Sequence, residues 1–493
     1  SLWIVLLCLL FCAILLHWLI VWRMAARDGI RGPTPWPLIG NIVFALRHLR
    51  TIHHHICKDV YTSYGPIGRV WLVGMLPVYL VNDPKAVHHI LIKHQPRYDR
   101  STLEQKSLSR MLDGGILMMN NGSEWKHSRS VLGGAFHRQS LKSMFPMFEK
   151  RSELLTDTLD KYATSGEVVD MQTEFQKLTF DVIGLVAMGI DFGSQKSEEN
   201  PFEKAWELVL NQLMFQFYFP LPRWLWRWLG FIPSIRQFDQ SMKLLESVVQ
   251  ESIDLRKKHP MNEEDSDLLS LMVKHQQESE ENGNPDIFTD KKINRELLTF
   301  MFAGHDTTRS TLCWILYYIS THSSVEEAVV EEINNTCTED QITPEALSQC
   351  KYLRCVVNET LRLRPPAPVR GRTLTEDDVV LGKKLRKGSH ITWSPYSLHR
   401  KEEVWEKPLV FDPSRFEGER GKNIQPCSFI PFGAGVRRCI GEQMAINELM
   451  VVIIRVLQKY SFRVKENIEI EDEWALTLSM QNGLPMYVTY RTQ

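Results

Sequence analysis

The chain carries almost no net charge: 58 Lys+Arg stand against 59 Asp+Glu in 493 residues. A balance this flat leaves out the basic surface that a nucleic-acid binder needs, so no nucleic-acid partner is expected. Cys-x-x-Cys pairs are also missing. The nine cysteines, at 8, 12, 57, 313, 337, 350, 355, 427 and 439, are odd in number and irregular in spacing. That argues against a disulfide framework or a zinc ribbon and for a reducing compartment. His53-His54-His55 is a poor metal site, because three adjacent residues of a helix cannot face one ion. What the chain does have is apolar mass, 43% of its residues, enough for a large core.

Leu2 to Trp22 is free of formal charge over 21 positions, and about 20 apolar residues span a bilayer as a helix. Arg23, Arg27 and Arg31 follow at once, which by the positive-inside rule leaves the rest of the chain on the cytoplasmic side. A cleaved signal peptide would have a basic start, a shorter apolar run and a small-residue cleavage site, none of which is evident. Residues 23–41 read as a basic, proline-rich linker, with Gly32-Pro33-Thr34-Pro35-Trp36-Pro37 fixing an extended path. Residues 42–493 then form the main body of the chain. Arg69 to Asn82 reads as a strand pair around Gly74, and Leu476 to Val488 as a hairpin turning at Asn482-Gly483. Residues 140–260 are mostly helical in pattern, and 260–290 are polar and acidic enough to read as a solvated loop. Leu210 to Trp228 mixes aromatics with Arg and Pro. It is read either as a broken core helix or as a pocket entrance at the membrane interface.

Chemistry concentrates at Phe432-Gly433-Ala434-Gly435-Val436-Arg437-Arg438-Cys439-Ile440-Gly441. The thiol is expected to be buried, and it has three reasons to ionise: a following helix, cationic neighbours and glycines that free backbone N–H groups. A thiolate of this kind is a soft ligand for haem iron; taken alone, a buried cysteine behind a glycine turn would explain it. Upstream, Asn294 to His322 reads as one long buried helix whose middle is Ala303-Gly304-His305-Asp306-Thr307-Thr308. Buried polar groups there need a purpose. Gly304 would let a flat cofactor press on the helix, and Asp306 and Thr307 could move protons. Trp125 and Arg129 share a helix face, as do Glu359 and Arg362.

These motifs together resemble the cytochrome P-450 family over roughly residues 32–493. The resemblance implies a mainly α (α+β) fold: a large helical haem domain, a smaller β-rich lobe and an N-terminal transmembrane helix. It implies a haem-thiolate monooxygenase that inserts one oxygen atom of dioxygen into an apolar fatty acid, sterol or xenobiotic. The cofactor would be haem b, ligated by Cys439 in the loop of Phe432 and Gly433. Its propionates would be held by Trp125, Arg129, Arg372 and Arg437. Ala303, Thr308 and Val369 would line the substrate pocket, Asp306 and Thr307 would be catalytic, and Glu359, Arg362 and Arg415 would brace the core. Fatty-acid ω-hydroxylases of the family carry Glu where this chain has Ala303, so no ester link to the haem is expected. No length remains for a flavin or nicotinamide domain. Electrons would come from NADPH-cytochrome P-450 reductase, with cytochrome b5 as a further donor, and Lys126 and Arg438 are candidates for the docking face. The expected location is the endoplasmic reticulum membrane, single-pass, facing the cytoplasm. The alternatives are a peroxide-rearranging member that needs no reductase and a non-catalytic haem sensor.

Overall fold

The uncharged run at the start of the chain coils into one helix, α1, Leu2–Asp28. Most of its apolar side chains are exposed, and it is long and apolar enough to cross a membrane. The computed structural model describes all residues except 1, 37–38, 42, 44–46, 49–50, 56–61, 73–75, 198–199, 219–222, 259–266, 284–287, 338–340 and 492–493. The described chain is mainly helical with small sheets. By contacts it divides into two units.

The first unit comprises residues 1–103, 367–409 and 424–438. Its centre is a five-stranded sheet in the order Ile67–Leu72, Leu76–Val81, His390–Trp393, Arg370–Leu374, Tyr98–Arg100. The first two strands pair antiparallel as their alternation predicts; Gly74 lies outside the described residues. Tyr79, Val81, Val87, Ile90, Ile391 and Trp393 are among the buried residues of its core. The proline-rich linker is more than a spacer. The Arg69 amide donates to Arg31 O at 2.9 Å and its guanidinium to Ile30 O at 3.0 Å. Asn41 accepts from the Trp71 amide at 2.8 Å. The segment therefore runs along the first strand, meeting backbone groups that an edge strand would otherwise leave open.

The second unit comprises residues 104–366, 410–423 and 439–493. Its helices include α2 (Ser123–Gly133), α3 (Phe145–Ser165), α4 (Met171–Met188), α5 (Pro201–Tyr218), α6 (Pro233–Lys258), α7 (Leu268–Glu281), α8 (Asp290–Thr321), α9 (Ser323–Thr336), α10 (Lys351–Leu363) and α11 (Glu442–Lys459). The long central helix expected from Asn294 begins a turn earlier, where Thr289 caps it by accepting from the Lys292 amide at 3.3 Å. Leu297, Met301, Leu312, Trp314, Ile315 and Ile319 bury most of its circumference.

Two expectations are corrected here. Part of the supposed loop at 260–290 is α7. Asp267 accepts from the Ser270 amide at 2.9 Å as its N-cap, and Leu268, Leu269, Met272 and Val273 form a buried stripe among polar residues. The supposed hairpin at Leu476 to Val488 has different partners. Thr477–Met480 pairs with Asp472–Ala475 around Leu476, which takes φ +69°. Pro485–Tyr490 joins Tyr460–Val464 and Val169–Asp170 instead. The switch occurs at Gly483, φ +71°, where Asp170 accepts from the Leu484 amide at 2.7 Å. In the aromatic-rich stretch, Leu213 and Trp226 are buried while Trp228 and Phe231 are exposed.

Candidate active site

In the first unit, the glycine-rich approach to the cysteine is a tight turn. Gly433 and Gly435 both have positive φ, +74° and +69°. A Cβ on Gly435 would run into the carbonyl oxygen of Leu91, so only glycine lets the loop pack there. The Ile430 amide donates to buried His399 Nε2 at 2.9 Å, and the Arg438 amide to Gly435 O at 3.0 Å. Phe432 and Arg437 are half-buried and Arg438 is exposed. Elsewhere in this unit, Arg372 is buried on its strand, with its guanidinium over the Trp393 ring at 5.5 Å. Val369 is half-buried, beside a segment fastened by Ser394 Oγ donating to Pro368 O at 2.8 Å.

In the second unit, Cys439 stands two residues before Gly441, the N-cap of α11, and so near the positive end of that helix. The thiol is exposed, not buried as the sequence suggested. A ligand atom needs an open side toward whatever it binds, and outside α1 the other described cysteines are all buried. On α2, Trp125 is buried and Arg129 half-buried, one turn apart. Burial pulls the Arg129 guanidinium below its usual range, and the nearby Cys439 sulfur partly offsets this. A desolvated cation beside an exposed thiol suits a ligand that carries both a soft metal and carboxylates.

The middle of α8 presents different faces. Ala303 is exposed, and Thr307, one turn on, is half-buried with its hydroxyl donating to Ala303 O at 2.7 Å. Asp306 is buried, and its carboxylate is held by Arg309 and by the Thr477 hydroxyl. Arg309 in turn donates to Gln176 Oε1 at 3.1 Å and Ser479 Oγ at 3.2 Å. Asp306 is thus fastened in a polar network, not turned toward Thr307. Gly304 differs from expectation too. A Cβ there would come within 2.5 Å of Ile183 on α4, so the missing side chain accommodates a neighbouring helix. Thr308, one turn further on, is buried rather than open to a pocket. His305 is buried edge-on against Phe180 at 5.2 Å, and burial lowers its pKa to about 4, so it stays neutral.

Glu359, Arg362 and Arg415 come together. Arg362 grips Glu359 with two hydrogen bonds of 2.7 Å, Arg415 Nε reaches the same carboxylate at 3.3 Å, and the Asp412 amide adds a bond of 2.9 Å. Glu296 and Glu448 are among the buried carboxyls that escaped the sequence reading. Glu296 is buried, accepts from the Ile116 amide at 2.8 Å, and has its pKa raised by burial to about 7. Glu448 is buried on α11, and burial raises its pKa well above the usual range. Their polar identity among apolar helix positions was the only available signal.

A family model described as Cytochrome P450 matches residues 30–488. The chain belongs to the cytochrome P450 family. Among similar curated proteins, cytochrome P450 3A29 of Sus scrofa is 31% identical over 448 residues, 88% of this chain and 86% of that protein. Human cytochrome P450 3A5 is 30% identical over 447 residues, 89% and 86% of the two chains. Cytochrome P450 4d2 of Drosophila melanogaster is 29% identical over 468 residues, 91% of each. As a P450, the chain is a monooxygenase oxidoreductase with a haem bound through a cysteine thiolate. The residues of the site fit that group: Cys439 supplies the accessible sulfur and Arg129 the adjacent cation. P450s of this kind generally use redox partners.

Proposed function

We propose that this P450 is anchored by α1 in the endoplasmic reticulum membrane, faces the cytoplasm, and oxidises an apolar fatty acid, sterol or xenobiotic. The overall reaction is RH + O₂ + two electrons + two protons giving ROH and water. The electrons come from NADPH-cytochrome P-450 reductase, with cytochrome b5 as a further donor; exposed Lys126 is a candidate docking residue. The division into anchor 2–22, linker 23–41 and catalytic part 42–493 belongs to the same reading. The observation that carries it is the exposed Cys439 thiol before α11, next to Arg129.

Bound haem b supplies an iron centre whose thiolate ligand favours O–O cleavage. Cys439 is the ligand in this proposal, following the Phe432–Gly433 turn. Trp125 and Arg129 offer an indole N–H and a guanidinium to a propionate, and Arg372 and Arg437 offer further guanidiniums. Ala303 has no carboxyl to form an ester. Thr307 holds a proton at Oγ1, which turns from the Ala303 carbonyl to another acceptor by rotation of the hydroxyl. Asp306 can pass on a proton only after taking one up, which requires Arg309 or Thr477 to release a carboxylate oxygen. Gly304 permits the helix contact with α4, while Ala303 and Val369 are the side chains we assign to the substrate wall. Thr308, the third residue of that assignment, is buried.

The test is the spectrum of the reduced, carbon-monoxide-bound protein. It should show the red-shifted Soret band of thiolate ligation and lose it in Cys439→Ser. A histidine-type spectrum in the wild type overturns the assignment. A spectral binding screen across fatty acids, sterols and drug-like amines then separates the substrate classes.

A further inference from the structure

Cys337 ends α9 and Cys350 N-caps α10. Their sulfurs lie 3.5 Å apart, both residues are buried, and Thr336 Oγ1 lies 3.1 Å from the Cys350 sulfur. The same two helices are already tied by Glu332, which accepts from the Tyr352 and Leu353 amides at 2.7 and 2.8 Å, at the positive start of α10. A groove of about 830 Å³ passes this point, lined by Cys350 together with Lys142, Glu332, Lys351, Arg354 and Asn447. A small oxidant has a route through it to Cys350, whose sulfur is 3.5 Å from that of Cys337.

We infer that Cys337 and Cys350 are a redox pair that closes to a disulfide when the protein meets a hydroperoxide. A disulfide needs sulfurs about 2 Å apart, so closure asks for an approach of roughly 1.5 Å from the contact already present. The pair is chemically primed. The hydrogen bond from Cys350, and then that from Thr336, lowers the Cys337 pKa, while the Cys350 thiol is pushed up as the donor. Cys313, Cys355 and Cys427 are instead pushed up, mainly by burial, so the lowering at Cys337 comes from the pairing.

In the first step the Cys337 thiolate attacks one oxygen of hydrogen peroxide. An S–O bond forms and the O–O bond breaks. The departing hydroxide takes up the proton that Cys337 had released, giving water and a sulfenic acid. The Cys350 sulfur then attacks the Cys337 sulfur. An S–S bond forms, the S–O bond breaks, and the hydroxyl leaves as water with the Cys350 proton. The two sulfurs lose two electrons together, and the peroxide gains them. The product clamps the end of α9 to the start of α10, the helix that carries Glu359 and Arg362.

The experiment treats the full-length, haem-loaded protein with hydrogen peroxide, blocks remaining thiols by alkylation and maps peptides by mass spectrometry. The expected result is a Cys337–Cys350 cross-linked peptide, lost on dithiothreitol treatment and absent from Cys350→Ser. Oxidised wild type should also melt about 3 °C higher than reduced wild type, as a short closed loop predicts. Both thiols still open to alkylation after denaturation, or Cys337 carried to sulfinic acid without a cross-link, overturns the inference. The wild-type peptide map is decisive whether or not the serine variant folds.

Discussion

Two helices of this P450 carry the same local device, an acid followed three residues later by arginine, and use it differently. On α10, Glu359 and Arg362 are both fully buried and gripped by two bonds of 2.7 Å. Arg415 and the Asp412 amide complete the shell. On α8, Asp306 and Arg309 are joined, but the other partners are the hydroxyls of Thr477 and Ser479 and the side-chain amide of Gln176. A carboxylate ringed by charged and backbone donors has no cheap alternative. One that shares itself between an arginine and a hydroxyl can exchange partners at the cost of about one hydrogen bond. Spacing makes both pairs, and the surroundings decide which is a brace and which can move.

The sharpest break of that contrast is Glu359→Gln. Stranding Arg362 and Arg415 without their carboxylate should cost roughly 3–5 kcal/mol, seen as loss of folded, haem-loaded protein or a large drop in the denaturation midpoint. A variant that folds and loads haem like the wild type would reduce the α10 cluster to the rank of the α8 pair.

A third buried acid, Glu296, extends the comparison, because its charge partner is Lys292 at 3.3 Å and burial dominates. Its folded pKa of about 7 stands above the ordinary 4.5. The folded state therefore holds the proton more tightly than the unfolded state does. Its contribution is fully present below about 4.5 and is lost as pH rises toward 7. Unfolding titrations should show the wild type losing roughly 3 kcal/mol across that window relative to Glu296→Gln. Parallel curves for the two proteins would refute the shift.

The smallest effect on stability is expected at Asp306→Asn, about 1–2 kcal/mol, because the amide oxygen still accepts from Thr477 and Arg309, which loses its bond to Oδ1, keeps Gln176 and Ser479 as acceptors. Product formed per reductant consumed should nevertheless fall, as it should for Thr307→Ala, whose hydroxyl bonds the Ala303 carbonyl. If Asp306→Asn destabilises as much as Glu359→Gln, the two pairs are equivalent braces and the contrast between them fails.

Much of this was legible in the residue order. The motif Gly433, Gly435, Cys439 and Gly441 announced a turn followed by a helix, because glycine at positive φ and a thiol near a helix start are local matters. The long run from Asn294 to His322 announced α8 by its apolar breadth. Less legible was α7, whose short apolar run sits beside acids that read as loop. The partners of Thr477–Met480 and Pro485–Tyr490 were misassigned, because Asn482-Gly483 marks a turn without saying which strands it joins.

Residue spacing by itself determined the thiol that suits iron, the Glu359–Arg362 pair and the membrane-length helix, since each depends on neighbours within a turn or on composition. Only the tertiary structure decided the rest. It showed that Gly304 makes room for Ile183, that Asp306 is held by Thr477 from 171 residues away, and that Cys337 meets Cys350. The physical reason is that a helix repeat sets which residues share a face. What that face meets depends on packing between segments distant in sequence, and no local pattern records it.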